Sequence, residues 1–131
     1  MTNEGSILLV EDSLEEALLL RKAFAAAAIL NPLHTVGDSD AMAAWLAGGN
    51  PPPSLILLDL GLPRKSGFEI IEWLRTTPEH SHRVIVVLTS SSSARDIDRA
   101  YSLGANSYFV KPTSFDDLVE FARMLKNSWL D

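Results

Sequence analysis

Four short, uninterrupted apolar segments constrain the fold of this chain more than any other feature of its sequence. They cover residues 7–10, 55–58, 84–88 and 108–110. None of them alternates polar with apolar residues, which is the pattern of strands that are buried on both faces of a sheet. A weaker fifth candidate, Leu33 to Val36, follows the turn signal Asn31-Pro32. These segments predict a mostly parallel sheet that helices cover on both sides.

Segments with helical spacing separate the apolar runs. We predict helices over residues 14–28, 67–75, 94–103 and 114–129, and a short helix between Ser39 and Gly48-Gly49. Ser13 and Glu16 form a possible capping box for the first helix, and Ser39 is the expected cap of the second. Gly104 follows the fourth helix as a natural left-handed cap. Because strands alternate with helices five times, we predict an α/β fold of (βα)5 type, with a doubly wound, five-stranded parallel sheet.

Composition and charge narrow the class of protein further. A chain of 131 residues corresponds to one domain, and 47% apolar with 21% charged residues is ordinary for a soluble globular domain. The absence of cysteine excludes disulfides, thiolate metal sites and cysteine nucleophiles. A net charge of −6 argues against nucleic-acid binding. No signal peptide is evident and no apolar run approaches the roughly 20 residues of a membrane helix, so we expect a cytoplasmic protein without membrane contact.

Polar residues follow each of the four strong apolar runs. In chain order they are Glu11 and Asp12, then Asp59, then Thr89 and Ser90, and finally Lys111. Because ligands bind beyond the carboxyl ends of strands in open α/β sheets, we expect these side chains to meet at one edge. Each alone has an ordinary structural explanation, such as a helix cap, a turn hydroxyl or a surface lysine. Their joint arrangement favours a functional site.

The chemistry of these residues indicates a hard divalent cation. Three carboxylates at one edge repel one another unless a cation neutralises them. Mg²⁺ fits better than zinc, because the chain has no cysteine and no histidine follows these strands. Mg²⁺ and Lys111 together would bring the pocket close to neutrality. Such a pocket could accept a phosphoryl group if one carboxylate were the covalent acceptor, with the Thr89 hydroxyl as a donor to a phosphoryl oxygen.

These residues resemble the receiver domain of bacterial response regulators over essentially the whole chain. The resemblance rests on Glu11-Asp12, on Asp59 within Leu-Leu-Asp-Leu-Gly-Leu-Pro, on Thr89-Ser90, and on Tyr108 three residues before Lys111-Pro112. It implies a CheY-like, flavodoxin-like three-layer sandwich and a single receiver domain over residues 1–131 without an output domain. The stretch 94–112 is similar to stand-alone receivers that partner phytochrome-type histidine kinases.

The resemblance also implies how phosphorylation occurs. Asp59 would take a phosphoryl group from the phosphohistidine of a sensor histidine kinase. Asp12 would bind Mg²⁺ directly and Glu11 through water, with Asp59 and the backbone carbonyl of Gly61 as further ligands. The family often has Asn, Asp or Met where Gly61 stands. A carbonyl ligand needs no side chain, so this departure affects the lifetime of the phosphoryl group rather than metal binding.

The remaining site residues are expected to act as a switch. Lys111 would pair with Asp59 and then with the phosphoryl oxygens, and a cis peptide bond at Lys111-Pro112 would hold it in place. Thr89 would move toward the phosphoryl group and Tyr108 would swing inward behind it. Ser90, where the family often has Ala, is small enough to leave room for the phosphoryl group.

The implied function is that of a response regulator in a two-component phosphorelay, signalling through protein contacts. Such a protein catalyses only its own phosphorylation and dephosphorylation. Two alternatives remain open. A Mg²⁺-dependent aspartyl-phosphate phosphatase usually carries a second acid two residues beyond its nucleophile, where this chain has Gly61. A pseudo-receiver that is never phosphorylated would not need the complete set of acids.

Other residues suggest packing or contact surfaces. His80 and His82 are predicted to be solvated loop residues, and His34 a partly buried strand residue. Trp129 and Leu130 near the end of the chain, with Val119 and Met124 on the last helix, suggest a contact surface. Because receivers commonly pair through the fourth helix, fifth strand and fifth helix, we predict a homodimer through this part of the chain.

Overall fold

The computed structural model describes residues 5–130, and its five strands form one parallel sheet. The strands are β1 (Ile7–Val10), β2 (Leu33–Val36), β3 (Leu55–Leu58), β4 (Ile85–Thr89) and β5 (Ser107–Val110). Their order across the sheet is β2-β1-β3-β4-β5, and every neighbouring pair is parallel. The predicted doubly wound α/β fold is therefore confirmed. Within residues 5–130, no helix is long and apolar enough to cross a membrane.

Five helices alternate with the strands, at nearly the predicted positions. They are α1 (Leu14–Ala26), α2 (Ser39–Ala47), α3 (Gly67–Thr76), α4 (Ala94–Leu103) and α5 (Phe115–Leu125). Helix α1 ends earlier than predicted because the backbone turns left-handed at Ala28, with φ of 58°. Asp38, and not Ser39, caps α2, since its carboxylate accepts a hydrogen bond from the backbone N–H of Ala41 at 2.8 Å. Gly104 is the left-handed C-cap of α4, as predicted.

The sheet separates two apolar cores. Alternate residues of a strand point to opposite faces, so Ile7 and Leu9 of β1 pack with α1 and α5, while Leu8 and Val10 pack with α2, α3 and α4. The four residues of β1 and of β3 are all buried, which explains their continuous apolar sequences. Strand β2 lies at the edge of the sheet, and His34 within it is exposed, so the prediction of a partly buried His34 is wrong.

The residues that follow α5, up to Leu130, pack against the core. After α5 the helix widens into a π-helical turn, Lys126–Leu130, which shifts the phase of the side chains by one position. Leu130 is buried, Trp129 is partly buried against the core on the side of α1 and α5, and Val119 is also buried. Of the four residues predicted as a C-terminal contact surface, Met124 alone is largely exposed, at 51%. The prediction that these four residues form a contact surface is therefore wrong.

Candidate metal centre

The topology places three carboxylates together at the carboxyl edge of the sheet. Glu11 and Asp12 follow β1, Asp59 follows β3, and these two strands are direct neighbours in which Val10 pairs with Leu58. Glu11, Asp12 and Asp59 each offer a carboxylate oxygen, and these oxygens lie within 4.8 Å of one another. Among residues 5–130 they form the only such group of potential metal ligands, and it contains neither His80 nor His82. Clustered carboxylate oxygens suit Mg²⁺ or a similar hard cation.

The three acids differ in their exposure to solvent. Glu11 is buried, and its two oxygens accept hydrogen bonds from the backbone N–H of Ser13 and from Lys111, each at 3.0 Å. Burial raises the pKa of Glu11, although those hydrogen bonds act in the opposite direction. Asp12 is exposed, and the Asp59 side chain retains 13% exposure. The pocket is thus open to solvent on the side of Asp12 and Asp59 and closed on the side of Glu11.

The loop after β3 folds over Asp59. The backbone N–H of Gly61 donates to Asp59 Oδ1 at 3.2 Å, which fixes the loop against the carboxylate. Gly61 is exposed, and a Cβ added there would meet no atom within 4 Å. Position 61 therefore borders the open approach to Asp59, and the role of its carbonyl as a metal ligand stays a prediction.

Lys111 reaches back to the acids across the sheet. The backbone N–H of Lys111 donates to the carbonyl of Thr89 at 2.7 Å, which extends the pairing of β4 with β5. From there its Nζ donates to Glu11 Oε1 and to Asp59 Oδ2, each at 3.0 Å, and also to Glu16. Burial alone would lower the pKa of Lys111, but the hydrogen bonds to Glu16, Asp59 and Glu11 raise it well above its usual range. Lys111 is a permanent cation at this site.

The predicted cis peptide bond at Lys111-Pro112 is wrong. No peptide bond within residues 5–130 is cis. The trans form of a bond before proline is favoured by roughly 0.5–1 kcal/mol, and Lys111 is held in place without the cis form. Its backbone bond to Thr89 and its three carboxylate partners fix both ends of the residue.

The predicted switch residues lie beside this pocket. Thr89 ends β4, the neighbour of β3, and is buried at 3% exposure, whereas Ser90 is exposed. Tyr108 packs against the core beneath α3 and α4, and its hydroxyl donates to the carbonyl of Ser91 at 2.8 Å. The ring that was predicted to swing inward is therefore already inward here, and is tied to the loop between β4 and α4.

Sequence reasoning missed two groups that contact the predicted residues. The side chain of Ser91 donates to Asp96 on α4 at 2.6 Å, so the loop that Tyr108 holds is also fastened to a helix. Glu16 contacts Lys111 instead of completing a capping box. Ser13 accepts from the N–H of Glu16 at 3.2 Å, but its own N–H bonds to Glu11, so the predicted box is only half formed. The sequence signal that could have indicated this contact is the position of Glu16, an acidic residue one helical turn after Asp12.

Comparison with known protein families gives one match that spans most of the chain. Residues 7–123 match the family model described as the response regulator receiver domain. The probable methanogenesis regulatory protein FilR2 of Methanothrix harundinacea is 37% identical over 95% of this chain and 83% of its own length. Response regulator Rcp1 of Synechocystis is 33% identical over 95% of this chain and 88% of its own length.

Solved structures show the same likeness. A response regulator in red light signalling of R. palustris has a TM-score of 0.90 at 35% identity, covering 97% of this chain and 94% of its own. The phosphorylated cyanobacterial phytochrome response regulator RcpA has a TM-score of 0.89 at 30% identity, with coverage of 98% and 95%. The Mn²⁺-bound form of Rcp1 has a TM-score of 0.86 at 32% identity, with coverage of 97% and 95%. This chain is therefore similar to these response regulators in both sequence and fold over nearly its full length.

Proposed function

This chain belongs to the response regulator receiver domain family, and from that premise we propose that Asp59 accepts a phosphoryl group from a sensor histidine kinase with Mg²⁺ as cofactor. The observation that carries the proposal is the position of Asp59. Its carboxylate is partly exposed, shares a group of acid oxygens with Glu11 and Asp12, and receives a hydrogen bond from Lys111 at 3.0 Å. A carboxylate between a cation site and an ammonium group is suited to covalent phosphoryl transfer.

The reaction assigns a separate task to each residue of the pocket. An oxygen of Asp59 attacks the phosphorus, and the bond to the kinase histidine nitrogen breaks with its electron pair left on the imidazole. Asp12, Asp59 and the carbonyl of Gly61 would hold Mg²⁺, with Glu11 acting through water. The bound cation would neutralise charge shared between the acids and the phosphoryl oxygens. Lys111 and the hydroxyl of Thr89 donate to the phosphoryl oxygens.

Phosphorylation would then signal through the surface near β4 and β5. Movement of Thr89 toward the phosphoryl group displaces the start of the loop that carries Ser91, and so changes the anchor of Tyr108. We propose that the altered surface is recognised by another protein, and that the chain catalyses no reaction except its own phosphorylation and dephosphorylation. A site of this kind functions in the cytoplasm, where the kinase domain of a sensor is found.

A phytochrome-type kinase is the proposed partner. RcpA is named as a phytochrome response regulator, and the R. palustris relative belongs to red light signalling. Residues 94–112, which carried the resemblance to this group in the sequence, form α4 and β5 in the structure. These names support the proposal, and a phosphotransfer assay from a purified phytochrome kinase to Asp59 would test it.

We also propose that the chain forms a homodimer through α4, β5 and α5. The exposed large apolar residues of these elements are Tyr101, Val110, Phe115 and Met124, with exposures of 43–51%. Of the four residues that the sequence suggested, Met124 alone belongs to this set, since Val119 and Leu130 are buried and Trp129 is partly buried. A patch of apolar side chains on adjacent elements is typical of an interaction surface.

Incubation with Mg²⁺ and acetyl phosphate tests the proposed function. We expect one base-labile phosphoryl adduct by intact mass, which a chelator prevents and Asp59→Asn abolishes. Asp98→Asn changes the same kind of side chain on the exposed face of α4 and should leave the adduct unaffected. Steady turnover of phosphate esters would instead indicate a phosphatase, and no adduct in the unaltered chain would indicate a pseudo-receiver.

A further inference from the structure

Glu16 is a fourth carboxylate at the pocket, and the proposed reaction gives it no task. It lies in the first turn of α1, and its side chain turns away from the capping position to contact the ammonium group of Lys111. That ammonium has three N–H donors. Glu11, Asp59 and Glu16 accept one each, so Lys111 has no donor left for a further acceptor.

The three partners of Lys111 differ in what their release would cost. The Glu11 side chain is only 5% exposed, and separating it from Lys111 would leave a buried anion without its cation. The Asp59 side chain is 13% exposed, and it is the proposed phosphoryl acceptor, so it stays beside Lys111 during the reaction. The Glu16 side chain is 48% exposed, so its carboxylate can return to water at little cost. Glu16 is therefore the partner that Lys111 can exchange most readily.

From this ranking, and resting on the proposed phosphorylation of Asp59, we propose that Glu16 is a positioning residue that a phosphoryl oxygen displaces from Lys111. In the unphosphorylated chain, Glu16 draws the ammonium toward α1. When the phosphoryl group arrives, it brings new anionic oxygens to the pocket, and Lys111 transfers the donor held by Glu16 to one of them. Glu16 then turns into solvent at the surface of α1.

The structure has room for this exchange. A cavity of about 90 Å³ lies between α1 and the loop after β5, with both Glu16 and Lys111 on its wall. Its other walls include the apolar side chains of Leu19 and Leu118. Because this space adjoins both charged groups, Lys111 can withdraw from Glu16 while the half-exposed carboxylate of Glu16 turns outward to solvent.

Glu16→Gln tests the exchange, because glutamine keeps the length of the side chain but removes the charge that competes for Lys111. At saturating Mg²⁺, the variant should bind beryllofluoride, a phosphoryl mimic, about two- to fivefold more tightly than the unaltered chain, the effect expected from one partly exposed ion pair. Glu15→Gln is the matched control. Glu15 is the adjacent exposed acid of α1, and its carboxylate is not among the partners of Lys111.

A second measurement follows Glu16 directly. The carboxyl carbon resonance of Glu16, identified by its absence in Glu16→Gln, should move on beryllofluoride binding to the position of a solvated glutamate. A purely structural role on α1 would not produce that movement. Equal or weaker binding by Glu16→Gln, an equal gain in Glu15→Gln, or a stationary resonance would overturn the exchange while leaving phosphorylation intact. Failure of the unaltered chain to bind beryllofluoride would overturn the proposed function and this inference with it.

Discussion

Glu11 carries a charge that opposes folding. Its carboxyl group is buried, and burial raises its pKa above the usual value of 4.5. Between that value and the raised one, the folded chain holds a proton that the unfolded chain has released. The contribution of Glu11 to stability therefore falls as the pH rises through this window, and the cost is complete once the folded group has ionised.

Replacing Glu11 by glutamine should stabilise the chain in the absence of metal. We expect the free energy of unfolding at pH 7 to increase, measured by urea denaturation, with a smaller gain as the pH approaches 4.5. Addition of Mg²⁺ should reverse the order of the two proteins, because the unaltered chain binds the cation more tightly and gains stability from it. A loss of stability at pH 7 without metal would contradict this account of Glu11.

Gly61 leaves the approach to Asp59 open to water. A Cβ at this position would meet no atom within 4 Å, and its φ lies outside the left-handed region, so the backbone accepts a residue with a side chain. Gly61→Met should slow hydrolysis of the phosphoryl adduct about fivefold, equivalent to roughly 1 kcal/mol of added barrier, because an apolar side chain excludes the attacking water. The decay of the adduct after removal of phosphodonor measures this. An unchanged or faster decay would show that water approaches from another side.

At the scale of elements, the start of α3 is packed directly against the end of β3. A Cβ on Gly67 would lie 2.6 Å from the carbonyl oxygen of Asp59 and 2.7 Å from the Cα of Leu60. The glycine thus permits a close approach of two backbones at Asp59, the proposed phosphoacceptor.

Gly67→Ala should therefore displace Asp59, which lies at the other end of the loop between β3 and α3. We expect the free energy of unfolding to fall by about 1–3 kcal/mol, as for other overpacked sites, and phosphorylation by acetyl phosphate to slow. Gly37→Ala, where a Cβ would meet nothing within 4 Å, is the control and should change neither. Normal phosphorylation in Gly67→Ala would show that the loop adapts without moving the carboxylate.

Most elements could be predicted from sequence because their signals are local. Ser93 and Gly104 delimit α4 by capping chemistry, and continuous apolar runs mark the buried strands. The role of Arg75 could not be predicted in this way. Its side chain directs all five N–H donors to backbone carbonyls and to Asn106, joining the end of α3 to the turn between α4 and β5. Such bonds depend on the tertiary arrangement and leave no pattern in the local sequence.

At the scale of the whole molecule, the convergence of the site could be predicted because it follows from topology. Parallel strands present their carboxyl ends at one edge, so Asp12, Asp59 and Lys111 meet there whatever their separation in sequence. The direction in which each side chain extends could not be predicted from the sequence. Glu16 was assigned to a local cap because nothing in the sequence shows that Lys111 extends from β5 to α1. The cis bond before Pro112 was expected from the family resemblance alone, and the bond has the ordinary trans form.

The proposed homodimer depends on a surface that three elements, α4, β5 and α5, form together. If α4, β5 and α5 form the interface, Met124→Glu should give a monomer in sedimentation at high micromolar concentration, where the unaltered chain is dimeric. Leu18→Glu, on α1, alters a residue of similar exposure, 52% against 51%, and should remain dimeric. A monomeric unaltered chain, with and without beryllofluoride, would exclude this assembly.

The measurement that tests the central claim most directly is a crystal structure of the chain with Mg²⁺ and beryllofluoride. The account predicts beryllofluoride on the carboxylate of Asp59, with Mg²⁺ beside it in contact with Asp12 and the carbonyl of Gly61. Lys111 should donate to a fluorine atom. Beryllofluoride absent from Asp59, or Mg²⁺ bound away from these acids, would contradict the claim that strand ends distant in sequence build one phosphoryl-accepting pocket.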